Sequence, residues 1–371
     1  MMPRGLSAET VQGRVATAAA AHDYRALQVA AEELAKESGY RVAALAAADF
    51  ARLALLGNEA GSWCRTVVPR DEPVLYLTEL SRLLERSLRF EDAARCLARA
   101  AELAPSQEHR TVATRALLRA GLDSEASALL MQDGEPALRA DADGLAGRPV
   151  VQSKQWPELR WRAEGAGAVL FGETVAAAYA SYVAATGVRL LEGLVVERLE
   201  RSVRARTRLA GLAAEGAAGV TLGRLVSVEE RLPAAVEQEV VWHELAHAFL
   251  AARAPYGGPG WLGEAVAFTW SRSLLAAAGL PAVSAAPSSV GWTGWIADLE
   301  RSDEASLDGA SRVARDSVAA ALGGWFAARF GMESLLSVYA ASAQGDAVEA
   351  ALCRVSGLSS PELRAAFEAG L

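Results

Sequence analysis

Along residues 1 to 138 apolar positions recur every three or four residues, and polar clusters interrupt the pattern at "KESGY", "LLGNEAGS", "VPRDEP" and "LAPSQ". That period puts the apolar side chains on one face of a helix, so this region is expected to be all-α. Residues 139 to 158, "RADADGLAGRPVVQSKQWPE", mix Gly, Pro and charge without periodicity and read as a linker. From residue 159 to 371 the texture changes. "LRWRAEG", "LEGLVVERLE" and "AAGVTLGRLVSVEE" each read as a strand, with a helix at "GETVAAAYASYVAATG" between the first two. Helical periodicity returns from Pro233 to the end. Strands followed by helices predict an α+β domain, a small sheet packed on one or more helices.

Within the helical region, "LTELSRLLERSLRFEDAARCLARAAELAP" resembles a tetratricopeptide repeat. Leu77, Leu80, Ser81 and Leu84 fall on its first helix, and Ala93, Leu97, Ala100 and Pro105 on or after its second. "TRALLRAGLDSEASALL" is a degenerate continuation, with Ala126 and Leu130 near the equivalent places. The resemblance implies either a concave surface for a protein partner or a helical buttress for the second domain. One clear repeat favours the buttress, because a solenoid needs about three.

Hydrophobic residues are 52% of the chain and charged residues 22%, a balance that supports folded domains and excludes extensive disorder. A net charge of −8 and scattered arginines leave no basic stripe for phosphate, so nucleic acid is not an expected partner. No stretch reads as the roughly 20 continuous strongly apolar residues of a membrane span. Cys64, Cys96 and Cys353 are few and far apart, which suits reduced core thiols and a cytoplasmic setting. His22 and His109 lie far from the other two histidines and are read as surface or core residues.

Candidate chemistry is concentrated in "VVWHELAHAFLAARAPYGGPGWLGEAVAF", residues 240 to 268. Pro233 suits a helix start, and no breaker follows until Pro255, so His243 and His247 project from one helical face, a turn apart. Two imidazoles so placed can share one tetrahedral zinc. Glu244 is rotated about 100° from His243, beside the metal, where a general base belongs. A catalytic zinc takes a third protein ligand. With no other histidine in the domain, that ligand is a carboxylate, and the "PYGGPG" reversal can bring Glu264 of the next helix back over the pair.

"HELAH" followed, after sixteen intervening residues, by Glu264 within "WLGEAVA" resembles the gluzincin metallopeptidases of the thermolysin-like clan, the peptidase MA-like members in particular. The resemblance spans roughly residues 155 to 371 and implies one Zn2+ per chain, held by His243, His247 and Glu264. It implies a zinc peptidase in which zinc polarises the scissile carbonyl and Glu244 moves the proton of the attacking water to the leaving amine. A peptide or protein is then the substrate, and the edge strand of such enzymes holds its backbone. Here that strand is "GVTLGRLVSV", with Gly219, Val220, Thr221 and Leu222 as the contact residues.

Two positions depart from the family pattern. A Tyr expected about fifteen residues before Gly331 is replaced by Asp316, which cannot donate to an oxyanion while ionised. Tyr256, Arg312 and Arg315 are the candidate replacements. One turn after Glu264, where an acceptor for a ligand histidine is expected, stand Phe268 and then Thr269. These departures leave open another zinc-dependent amide hydrolase. They also leave open a metal-stabilised, catalytically silent protein that works through its helical N-terminal region.

Overall fold

The computed structural model describes residues 14–15, 18, 24–36, 41–56, 69, 72–86, 89–130, 135–165, 167–190, 193–210, 217–254, 259–283, 299 and 309–370. The described residues are mostly helical, with a small mixed sheet, as an α+β assignment requires. The chain divides into two compact units.

The first unit comprises Met1–Val150, Glu200–Glu215 and Leu222–Leu225. Its helices are α1 (Tyr24–Leu34), α2 (Arg41–Leu56), α3 (Pro73–Arg86), α4 (Phe90–Leu103), α5 (Gln107–Arg119), α6 (Asp123–Leu129) and α7 (Pro136–Ala146), each packed on the next. The periodic apolar positions form the seam. Leu77, Leu80, Ser81, Leu84, Ala93, Ala100, Ala126 and Leu130 are all buried. Leu97, expected in the seam, is only partly buried, and Cys96 beside it takes the inward position.

Helix α7 occupies part of the stretch read as linker, its Leu138, Ala142 and Leu145 recurring at helical spacing and buried. The short helix α9 (Arg201–Thr207) also belongs to this unit, although it follows the strands in sequence. Its C-cap residue explains why: Arg208 is fully buried and donates to both carboxylate oxygens of Asp123, at 2.7 and 3.1 Å, and to the Leu118 carbonyl. A buried guanidinium must find such partners, because an unpaired charge in the interior is costly.

Cys96 is disulfide-bonded and Cys353 carries a free thiol, while Cys64 lies outside the described residues. The expectation of three reduced thiols is therefore corrected, and with it the cysteine argument for a cytoplasmic setting. Wide sequence spacing says nothing about distance in the fold.

The second unit comprises Val151–Leu199, Gly216–Thr221 and Val226–Leu371. Five strands, β1 (Val151–Gln152), β2 (Leu159–Arg162), β3 (Leu194–Leu199), β4 (Gly219–Leu222) and β5 (Leu225–Glu229), lie in the order β1-β2-β3-β5-β4. β1 runs antiparallel to β2, pairing Val151 with Trp161, and β2 runs parallel to β3, pairing Leu159 with Leu194. A parallel pair needs a crossover, supplied by α8 (Ala168–Thr186). The single strand expected over "GVTLGRLVSV" is two strands instead. Gly223 adopts φ +65°, so the chain turns at Gly223–Arg224 and leaves β4 at the sheet edge.

Helix α8 is long and apolar enough to cross a membrane, which the chain was not expected to contain. Its Phe171, Val175, Ala178, Tyr179 and Tyr182 are nonetheless fully buried in the unit's core. Their partners come from α10 (Ala234–Arg253) and α11 (Gly260–Ala277). Tyr182 stacks on Phe249 at 5.1 Å, meets Trp270 edge-on at 4.8 Å, and donates its hydroxyl to the Trp242 carbonyl at 2.8 Å. These contacts fix the axial position of α10 one residue before His243. Helices α12 (Gly309–Phe330), α13 (Met332–Ser342), α14 (Val348–Ser356) and α15 (Ser360–Glu368) complete the unit, with α12 and α13 packed on α11.

Candidate metal centre

Helix α10 has two working faces. Trp242, Leu245, Ala246 and Phe249 are buried in the core, whereas His243 and His247 keep about a fifth of their side-chain surface open. The i, i+4 spacing brings the two rings to 4.8 Å between centroids, with their Nε2 atoms 3.1 Å apart. Helix α11 packs on α10 and presents Glu264 to the pair. Its Oε2 lies 3.2 Å from His243 Nε2, and its Oε1 lies 3.4 Å from His247 Nε2.

Three ligand atoms thus converge, all within 4.8 Å of one another. Donors around one tetrahedral ion at ~2.0–2.1 Å stand about 3.3 Å apart. The spacing and the chemistry of the set, two neutral-capable imidazoles and one carboxylate, fit a single divalent metal.

The same convergence perturbs the groups electrostatically. Burial works to lower the pKa of His247, but Glu264 outweighs it, with help from Glu244 and Asp316, and lifts it to about 9. Burial pushes Glu264 up, yet the charge of His247 and hydrogen bonds from both imidazoles hold it well below the usual carboxylate range. A negative site that draws protons this strongly also attracts a cation, and the two compete for His247.

Glu244 stands beside the ligands on α10, 7% exposed, and faces the edge strand. Thr221 Oγ1 lies 2.8 Å from Glu244 Oε2 and 2.7 Å from the Glu244 carbonyl oxygen. Gly219 approaches so closely that a Cβ there would stand 2.6 Å from Glu244 Cγ and Val240 Cγ1.

No family model, no curated protein and no solved structure matches this chain.

Of the residues singled out in the sequence, His243, His247, Glu264, Glu244, Gly219 and Thr221 come together. Val220 and Leu222 occupy the alternate positions of β4, Leu222 buried. Tyr256 lies outside the described residues, and Arg312 lies on α12 with its side chain outside them. Arg315 is buried, and its Nε and Nη2 donate to Asp316 Oδ1 at 2.9 and 2.8 Å. This position therefore holds an ion pair where the family pattern has a tyrosine.

Phe268, at the place expected for a polar acceptor, sets its ring against His243 at 6.0 Å between centroids and has the Arg272 guanidinium over its ring at 4.5 Å. Thr269 is turned away, donating to the Ala265 carbonyl at 2.7 Å. Phe268, Arg272, Ala320, Gly324 and Met332 also line a groove of about 480 Å³. Sequence reasoning missed the bond from Thr221 to Glu244. The only signal for it was a hydroxyl two residues from a glycine in a strand, which many strands contain.

Proposed function

We propose that the chain is a zinc peptidase of gluzincin type, with one Zn2+ held by His243, His247 and Glu264 and with Glu244 as general base. The observation that carries this reading is the convergence of three ligand atoms within 4.8 Å, with the Glu244 carboxylate on the next residue of the same helix. The edge strand beside α10 and the helices that follow are the further features on which this reading leans. The helical N-terminal unit is read as TPR-like, able to hold a protein partner.

Bound zinc supplies Lewis acidity toward a carbonyl and toward water. The chain's own residues do the rest. Glu244 takes the proton of the attacking water and delivers it to the leaving amine, so that one carboxylate serves as base and then as acid. The free edge of β4 receives an extended substrate backbone by strand addition. The groove walled by Phe268 and Met332 takes an apolar side chain of the substrate, because its lining is largely apolar.

The test compares native protein with Glu244→Gln at equal zinc content, on a pool of internally quenched peptides. Native protein is expected to cleave a subset that Glu244→Gln leaves intact. Equal turnover by the two forms would contradict the peptidase reading and favour an interaction or metal-stabilised role.

A further inference from the structure

A general base has to be held at its station as well as carried there. Glutamate has three rotatable side-chain bonds, and a carboxylate that wanders among rotamers spends little time on the attacking water. The edge strand provides the restraint. Alternate residues of a strand share a face, so Gly219 and Thr221 both meet α10.

We propose that Thr221 is a positioning residue for Glu244, its hydroxyl tying both the carboxylate and the helix backbone to β4. This rests on the reading of Glu244 as general base. An ionised carboxylate can only accept, so the Thr221 hydroxyl is the donor in the 2.8 Å contact to Oε2. Its other contact, 2.7 Å to the Glu244 carbonyl oxygen, shares the same proton. That second contact keeps the strand in register with residue 244, because a carbonyl oxygen has a lone pair left after its helical bond. A threonine suits the task better than a longer polar residue, since branching at Cβ leaves its hydroxyl few positions.

Gly219 lies against the other carboxylate oxygen. A Cβ would stand 2.7 Å from Glu244 Oε1 and 2.6 Å from Cγ, so β4 meets the carboxylate at the bare Cα of Gly219 as well as at the hydroxyl of Thr221. With Glu244 only 7% exposed, water has little access to replace the hydroxyl if it is removed. Thr221 acts on the reaction only through Glu244.

The experiment uses the zinc-loaded full chain as native protein, Thr221→Val, Thr221→Ser and Glu244→Gln, with crystal structures and peptide hydrolysis for each. Thr221→Val keeps the shape and deletes the donor; Thr221→Ala replaces it in every measurement if the valine form does not fold. The carboxylate is expected to leave its station in Thr221→Val and to keep it in Thr221→Ser. Turnover should follow, with kcat about 10- to 100-fold lower in Thr221→Val, KM unchanged and Thr221→Ser close to native. A Glu244 carboxylate that stays in place in Thr221→Val, or a kcat in Thr221→Val equal to native, overturns the proposal. If native protein and Glu244→Gln hydrolyse peptides equally, the peptidase reading fails, and the crystal structures still decide whether Thr221 holds the carboxylate.

Discussion

Gly219→Ala places one methyl group where the fold has no space for it. The added carbon would stand 2.6 Å from both Glu244 Cγ and Val240 Cγ1, and 2.7 Å from Glu244 Oε1. Carbon atoms rest at ~3.5–4.0 Å, so the gap between β4 and α10 has to open by about 1 Å. Helix α10 is held by the aromatic contacts of Phe249 and by the bond from Tyr182 to the Trp242 carbonyl, so β4 and the Glu244 side chain are the parts that yield. Overpacking of this size costs about 1–3 kcal/mol of stability. A catalytic group displaced by about 1 Å can lose roughly 10²-fold in rate. The proposed metal ligands sit on α10 and α11, not on the strand that yields, so metal content should not change. The assay is kcat on a fluorogenic peptide, together with urea unfolding and zinc content. Gly144→Ala is the control: nothing lies within 4 Å of its Cβ position, and alanine in that helix should add about 0.5–1 kcal/mol. Native kcat and native stability in Gly219→Ala would refute the claim that β4 presses on the Glu244 carboxylate.

Further consequences can be checked separately. Glu264→Ala removes a proposed ligand and should leave far less zinc after dialysis than native protein retains, read by atomic absorption; unchanged content would remove Glu264 from the set. Asp123→Asn leaves Arg208 buried beside a neutral group and should cost about 3–5 kcal/mol in urea unfolding. Glu158 is held at about 2 chiefly by its hydrogen bonds from Arg189, against an opposing push from burial. A carboxylate lowered in the folded state contributes stability above its unfolded value of 4.5, lost as pH falls through 4.5 toward 2. Unfolding midpoints at pH 6 and pH 3 should therefore converge in Arg189→Met, and an equal drop in both proteins would count against the pair.

Much of this site was legible in the residues because its parts obey local rules. The i, i+4 histidines need only a helix, and "WLGEAVA" after a Gly/Pro reversal needs only a second helix packed on the first. The order strand, helix, strand over β2, α8 and β3 was legible, whereas the parallel pairing of the two strands was not. What escaped notice depended on tertiary contact. Arg208 looks like any surface arginine until Asp123, 85 positions earlier, is found beside it. Cys96 takes the inward position expected of Leu97 although Ala93 and Ala100 of the same helix are buried as expected, a choice between neighbours that periodicity alone cannot register. The turn at Gly223 divided one expected strand into two. The hold of Thr221 on Glu244 exists only because that division leaves β4 at the sheet edge, against α10.

The central claim is that water, activated with the help of Glu244, cleaves a peptide bond. It is tested most directly by mass spectrometry of peptide pools incubated with zinc-loaded protein in water enriched in 18O. Native protein should generate new C-termini carrying one 18O, and Glu244→Gln, at the same zinc content, should generate none. New C-termini in equal yield from both proteins, or no labelled termini from the native protein on any peptide of a proteome-derived pool, would contradict the account.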